Sequence, residues 1–126
     1  MTLVVCFKTT IGIVLASDSR GTIGDPRGLT AINDSQIKIH QIGNCGLAIA
    51  GASEMGAVLL DELHKNNDLD KLKNVDDTVD LVVDSFRNYF NKWFQKMPLN
   101  QRPGVLFTIA GYRNGISPEP MIYLLN

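Results

Sequence analysis

The spacing of apolar residues changes at Gly51 and again after Pro103, and this order restricts the fold more than any other feature of the chain. Residues 2–7 and 12–17 are rich in Val, Ile and Leu, and the connection between them, closing on Gly12, has the length and the glycine of a hairpin. Residues 36–42 alternate, with Ile37 and Ile39 on one face and Lys38 and His40 on the other; residues 44–51 form a mostly apolar strand. Between these pairs, residues 21–34 hold three Gly, one Pro and two Asp and read as a surface loop. Helical spacing follows. Met55, Val58, Leu59 and Leu63 make one stripe, with Ser53 as its N-cap and residues 64–67 as its end. Val79, Val82, Val83, Phe86, Phe90, Trp93 and Met97 make a second, opened by Asp76 and Asp77 and stopped by Pro98, so that Trp93 and Phe94 read as helix core. Strands over 105–112 and 121–125 then flank an Asn114-Gly115 turn. The expected order is ββββααββ, an α+β arrangement in a single domain over residues 1–126.

Composition narrows the class. A chain of 126 residues, 44% hydrophobic, has enough material for one core and not for two. A net charge of −1 gives no electrostatic reason to expect nucleic acid or an anionic membrane as partner. Cys6 and Cys45 both fall in apolar runs, which suits buried thiols in a reducing compartment better than a disulfide framework. The first residues lack a basic flank and a long apolar stretch, so neither a signal peptide nor a membrane span is expected, and the cytoplasm is the simplest location. His40 and His64 make no spaced ligand pair with a cysteine; no metal or other cofactor is implied.

The chemistry enters at the start of the chain. Thr2 follows Met1, and the second strand ends in Asp18-Ser19-Arg20. A threonine is a poor nucleophile unless a base stands beside it, and at a chain terminus the free α-amine, with an unperturbed pKa of roughly 7.7–8.0, can be that base. Removal of Met1 would create both groups together.

Thr2, Gly12 in the hairpin, Asp18 with Ser19 and Arg20, Thr22, Lys38 and the Ala50-Gly51-Ala52-Ser53 turn occur in the order found in the proteasome β-subunit family, and the chain resembles that family and its simple bacterial relatives. The resemblance implies an N-terminal nucleophile hydrolase with an α-β-β-α sandwich, of which this chain would supply the N-terminal part and only the beginning of the second sheet. It implies that Thr2 Oγ attacks a peptide carbonyl, that Lys38 lowers the pKa of the neighbouring amine, and that Asp18 holds Lys38. Arg20 would brace the strand end, and the Gly51 N–H would serve as oxyanion donor. Thr22 and Ser53 would pair their main chain with an extended polypeptide substrate. A ring-like homo-oligomer is implied, with an ATPase as a further partner. Two departures stand out: the stretch from Arg20 to Lys38 is longer than usual, and the Ser and Asp-x-x-Ser that family members use later fall beyond Asn126.

Each residue also has a plainer use. A Thr after Met1 is common, Asp-Ser-Arg at a strand end is more often a turn with a surface ion pair, Lys38 and His40 would ordinarily be solvated, and Gly51 is an ordinary turn glycine. Joint spacing carries the reading. Thr9 and Cys6 are poorer nucleophile candidates, because a start at either leaves Asp18 too close to return across a hairpin. Two other functions remain open: a non-catalytic structural subunit of the same fold, and an N-terminal amidohydrolase acting on a small amide.

Overall fold

A computed structural model of the chain describes residues 2–25, 27–66 and 68–126. The first two apolar runs form an antiparallel hairpin, β1 (Val4–Lys8) and β2 (Ile13–Ser17), with Cys6 opposite Leu15. Its turn is closed by Thr9 N–H donating to the Gly12 carbonyl at 2.8 Å.

The stretch expected to be a loop is instead a second hairpin, β3 (Gly21–Asp25) and β4 (Gly28–Asn33). Thr22 pairs with Ile32 and Ile23 with Ala31, so two short β-forming segments face each other across the hairpin. The register shifts at Gly24, where a bulge absorbs one residue. The glycines that signalled irregular chain belong to this bulged ladder, and Pro26 lies outside the described residues.

A four-stranded antiparallel sheet of order β5-β6-β7-β8 follows, made of β5 (Ile39–Ile42), β6 (Cys45–Gly51), β7 (Val105–Arg113) and β8 (Glu119–Leu125). Between β6 and β7 run α1 (Ser53–Asn66) and α2 (Val75–Phe94), with short 3₁₀ turns at Leu69–Lys71 and Leu99–Gln101. Among the described residues the content is thus mixed α+β, with eight strands and two helices where six and two were expected.

Pleating sorts the sheet into two faces. Ile42, Cys45, Leu47, Ile49, Val105, Phe107 and Ile109 pack against Leu59, Leu63, Val75 and Val82 of the helices in one buried cluster. Each large side chain fully buried there contributes roughly 1.5–3 kcal/mol. Phe86 meets Phe107 edge-on at 5.2 Å between ring centres and Phe90 at 5.0 Å. The opposite face carries small residues, including Gly46, Ala48 and Ala110, and there the first hairpin approaches: a methyl on Gly46 would stand 3.2 Å from Leu15 Cδ2. Helices, sheet and hairpin therefore form three layers. Asp76 at the start of α2 is tied to the sheet by Arg113, which donates through Nε at 2.7 Å and through a second nitrogen at 3.2 Å, and by the Tyr123 hydroxyl. Arg113 and the Tyr123 hydroxyl hold the Asp76 carboxyl below the usual range, and Asp76 pushes the Tyr123 phenol up.

Several expectations are corrected in detail. Helix α1 begins at Ser53, which makes Ala52 the residue before it; the N-cap role of the Ser53 side chain lies outside the described residues, as do Met1 and Asn67. Helix α2 ends at Phe94, short of Pro98, and Trp93 and Met97 are partly exposed, so the apolar stripe does not stay in the core to its end. No helix among the described residues is long and apolar enough to cross a membrane. Both cysteines are free, and burial pushes the thiols of Cys6 and Cys45 up.

Candidate functional site

Four chain segments meet at one end of the sheet. Thr2 and Leu3 lead into β1, Asp18 follows β2, Arg20 precedes β3, and Lys38 stands one residue before β5. One carboxylate oxygen joins three of them. Asp18 Oδ1 accepts from the Leu3 N–H at 2.8 Å and from Lys38 Nζ at 2.9 Å. The Asp18 N–H returns a bond to the Leu3 carbonyl at 3.1 Å, and Lys38 Nζ also donates to the Arg20 carbonyl at 2.6 Å. These bonds hold the Asp18 carboxyl below the usual carboxylate range, first through Lys38 and then through the Leu3 N–H.

Lys38 is the inversion of the alternating pattern. Its side chain is 1% exposed, whereas Ile37 beside it is 75% exposed. The Lys38 carbonyl accepts from Ile49 N–H at 3.0 Å, which fixes this main chain against β6 and points the ammonium at Asp18. An ammonium taken out of water needs such partners.

Arg20 does not brace the strand end with its side chain. Its guanidinium lies outward, 2.6 Å from Asp34, with both side chains more than 60% exposed, and its contribution to the buried cluster is its carbonyl. Gly51 closes β6 at a φ of +82°, with an added Cβ only 2.4 Å from the Gly104 carbonyl, so this position admits glycine for conformational and steric reasons together. The next N–H, of Ala52, donates to that same carbonyl at 3.0 Å.

A cleft of about 420 Å³ opens here, with Thr2, Arg20, Thr22, Gly51 and Glu54 among its lining residues. Thr2, Thr22 and Gly51 are thus brought together, and Lys38 is linked to this wall through the carbonyl of Arg20, a residue that lines it. Ser53 begins α1 beside Glu54; the position of its side chain lies outside the described residues. Glu54 went unread in the sequence because an acidic residue in the first turn of a helix ordinarily serves the helix dipole.

The two histidines stand elsewhere. His64 donates through Nδ1 to the Leu60 carbonyl at 2.7 Å within α1, and burial lowers the His40 pKa. Among the described residues no group of three or more His, Cys, Asp or Glu gathers as a metal would require. No family model, curated protein or solved structure matches the chain.

Proposed function

We propose that the protein is a threonine-type peptidase subunit of the N-terminal nucleophile hydrolase kind, similar to proteasome β-subunits, with Thr2 as nucleophile once Met1 is removed. The observation that carries this reading is the shared Asp18 oxygen, which ties the residue after Thr2 to a buried ammonium that also holds the carbonyl of Arg20, a residue of the cleft wall. Thr2 Oγ attacks the peptide carbonyl carbon while the Thr2 α-amine takes its proton, the Lys38 charge favouring the neutral amine. The Gly51 N–H receives the oxyanion. Collapse of the tetrahedral intermediate breaks the peptide C–N bond, and the proton held by the α-amine passes to the leaving amine. Water then hydrolyses the threonine ester and restores Thr2. No cofactor takes part.

The cleft also suits a polypeptide. Strand β3 places Thr22 on the wall of the cleft, where an extended segment would add alongside it as a strand. The outer face of the first hairpin exposes Val5, Phe7 and Val14, which supports burial between copies of the chain in a ring. Free cysteines suit the reducing cytoplasm, where we place the protein.

The test is protein prepared with Thr2 as its first residue, assayed on fluorogenic peptides and exposed to an electrophilic peptide. Turnover, and a covalent adduct located on Thr2 by mass spectrometry, are expected. Both should vanish in Thr2→Ala while its circular dichroism stays that of the parent. Turnover unchanged in Thr2→Ala would remove Thr2 from the mechanism.

A further inference from the structure

Among the described residues, one charge on the walls of the cleft beside Thr2 has no counter-charge. Of the two charged side chains singled out on its walls, Arg20 is neutralised by Asp34 at 2.6 Å, whereas Glu54 is exposed and makes no ion pair or hydrogen bond among the described residues. Its place in the first turn of α1 accounts for an acidic residue there. That place does not account for its lining the same cleft as Thr2 and Gly51.

An extended chain added along the edge of β3 would direct alternate side chains to the same side. Ile23, 54% exposed, also lines the cleft and offers an apolar surface on which the methylenes of a long basic side chain can lie while its charged head stays in water. We propose that Glu54 selects polypeptide segments carrying a lysine or arginine at the position facing it. This deepens the reading of the cleft as a peptide site, and it can fail while that reading stands.

Binding can be separated from turnover. The full chain carrying Thr2→Ala is titrated by fluorescence anisotropy with labelled hexapeptides that differ at one position, arginine, glutamine or glutamate. At low salt the arginine peptide should bind about fivefold more tightly than the glutamine peptide, the scale of an exposed ion pair, and the glutamate peptide more weakly still. Raising the salt should compress the series. Glu54→Gln should abolish the arginine preference, and Glu54→Lys should reverse the order of arginine and glutamate. Equal affinities for the three peptides, or a preference for arginine that survives Glu54→Gln, would overturn the proposal. Protein with Thr2 first that cleaves all three peptides equally would overturn the role of Glu54 and leave Thr2 as nucleophile. Selective binding of the arginine peptide with no cleavage would support Glu54 and remove the peptidase.

Discussion

Replacing Lys38 with methionine keeps a side chain of similar length and deletes the charge. In the native protein the ammonium donates at 2.6 Å to the Arg20 carbonyl and at 2.9 Å to Asp18, inside a side-chain envelope that is 1% exposed. A hydrogen bond from a charged donor contributes about 1.5–3 kcal/mol, and the carbonyl left behind keeps a desolvation cost. Methionine offsets part of this because a thioether is less costly to bury than an ammonium, and Asp18, about a third exposed, can rehydrate. The expected net loss is about 2 kcal/mol. With a urea m-value of about 1.5 kcal/mol/M, the unfolding midpoint should fall by roughly 1.3 M. The single tryptophan, Trp93, with its ring 5.7 Å from that of Tyr89, provides a fluorescence signal for unfolding. Asp18→Asn placed on Lys38→Met should cost less than Asp18→Asn alone, because the two side chains share one bond. Turnover should fall by several orders of magnitude, well beyond what a partly unfolded population explains. A midpoint that does not move, together with additive losses, would mean that Lys38 is solvated and the geometry assigned to the site is wrong.

Because the Asp18 pKa lies below its ordinary value of 3.8, its stabilising contribution is complete above that value and is lost as pH falls through the folded-state pKa. Asp18→Asn should flatten this part of the acid limb of a pH–stability curve, and an unaltered limb would count against the bonds to Lys38 and Leu3. Gly51→Ala forces a side chain into a φ of +82° with its Cβ 2.4 Å from a backbone oxygen, and should cost about 2 kcal/mol or more in thermal or urea unfolding. A neutral result there would refute the close approach to Gly104. Sedimentation over a range of concentrations should reveal species larger than a monomer. Phe7→Lys, on the exposed face of the first hairpin, should shift them toward monomer, whereas a monomeric parent would leave that face without a partner copy.

Elements with a strong period were legible from the sequence alone. The first hairpin, both helices and strands β6 to β8 lie within a few residues of their expected places, because each carries enough apolar residues to define a face. The hairpin β3–β4 was not legible. Its ladder is short and bulged, with glycines at residues 21, 24 and 28, so composition reads as loop while the pairing supplies the order. The approach of Asp18 to Lys38 was expected from the family resemblance, and the outward turn of the Arg20 guanidinium was not. A local pattern contains no term for a partner 14 or 20 residues away.

Lys38 shows what such a pattern leaves out. Burying the isoleucine while exposing the lysine would be the cheaper choice at positions 37 and 38, in the stretch just before β5. The chain does the reverse, leaving Ile37 75% exposed and Lys38 3% exposed. Burial of an ammonium is a weak source of stability even when it is well paired, so a purely structural account has to explain why a better-packed alternative is not used. The role proposed for Lys38 beside Thr2 would account for it, since a Lys38 turned outward would lose its bonds to Asp18 and to the Arg20 carbonyl. Local rules of this kind are broken where a protein does chemistry, at a cost carried by the rest of the fold. In this chain the break coincides with the one carboxylate oxygen shared by Leu3 and Lys38.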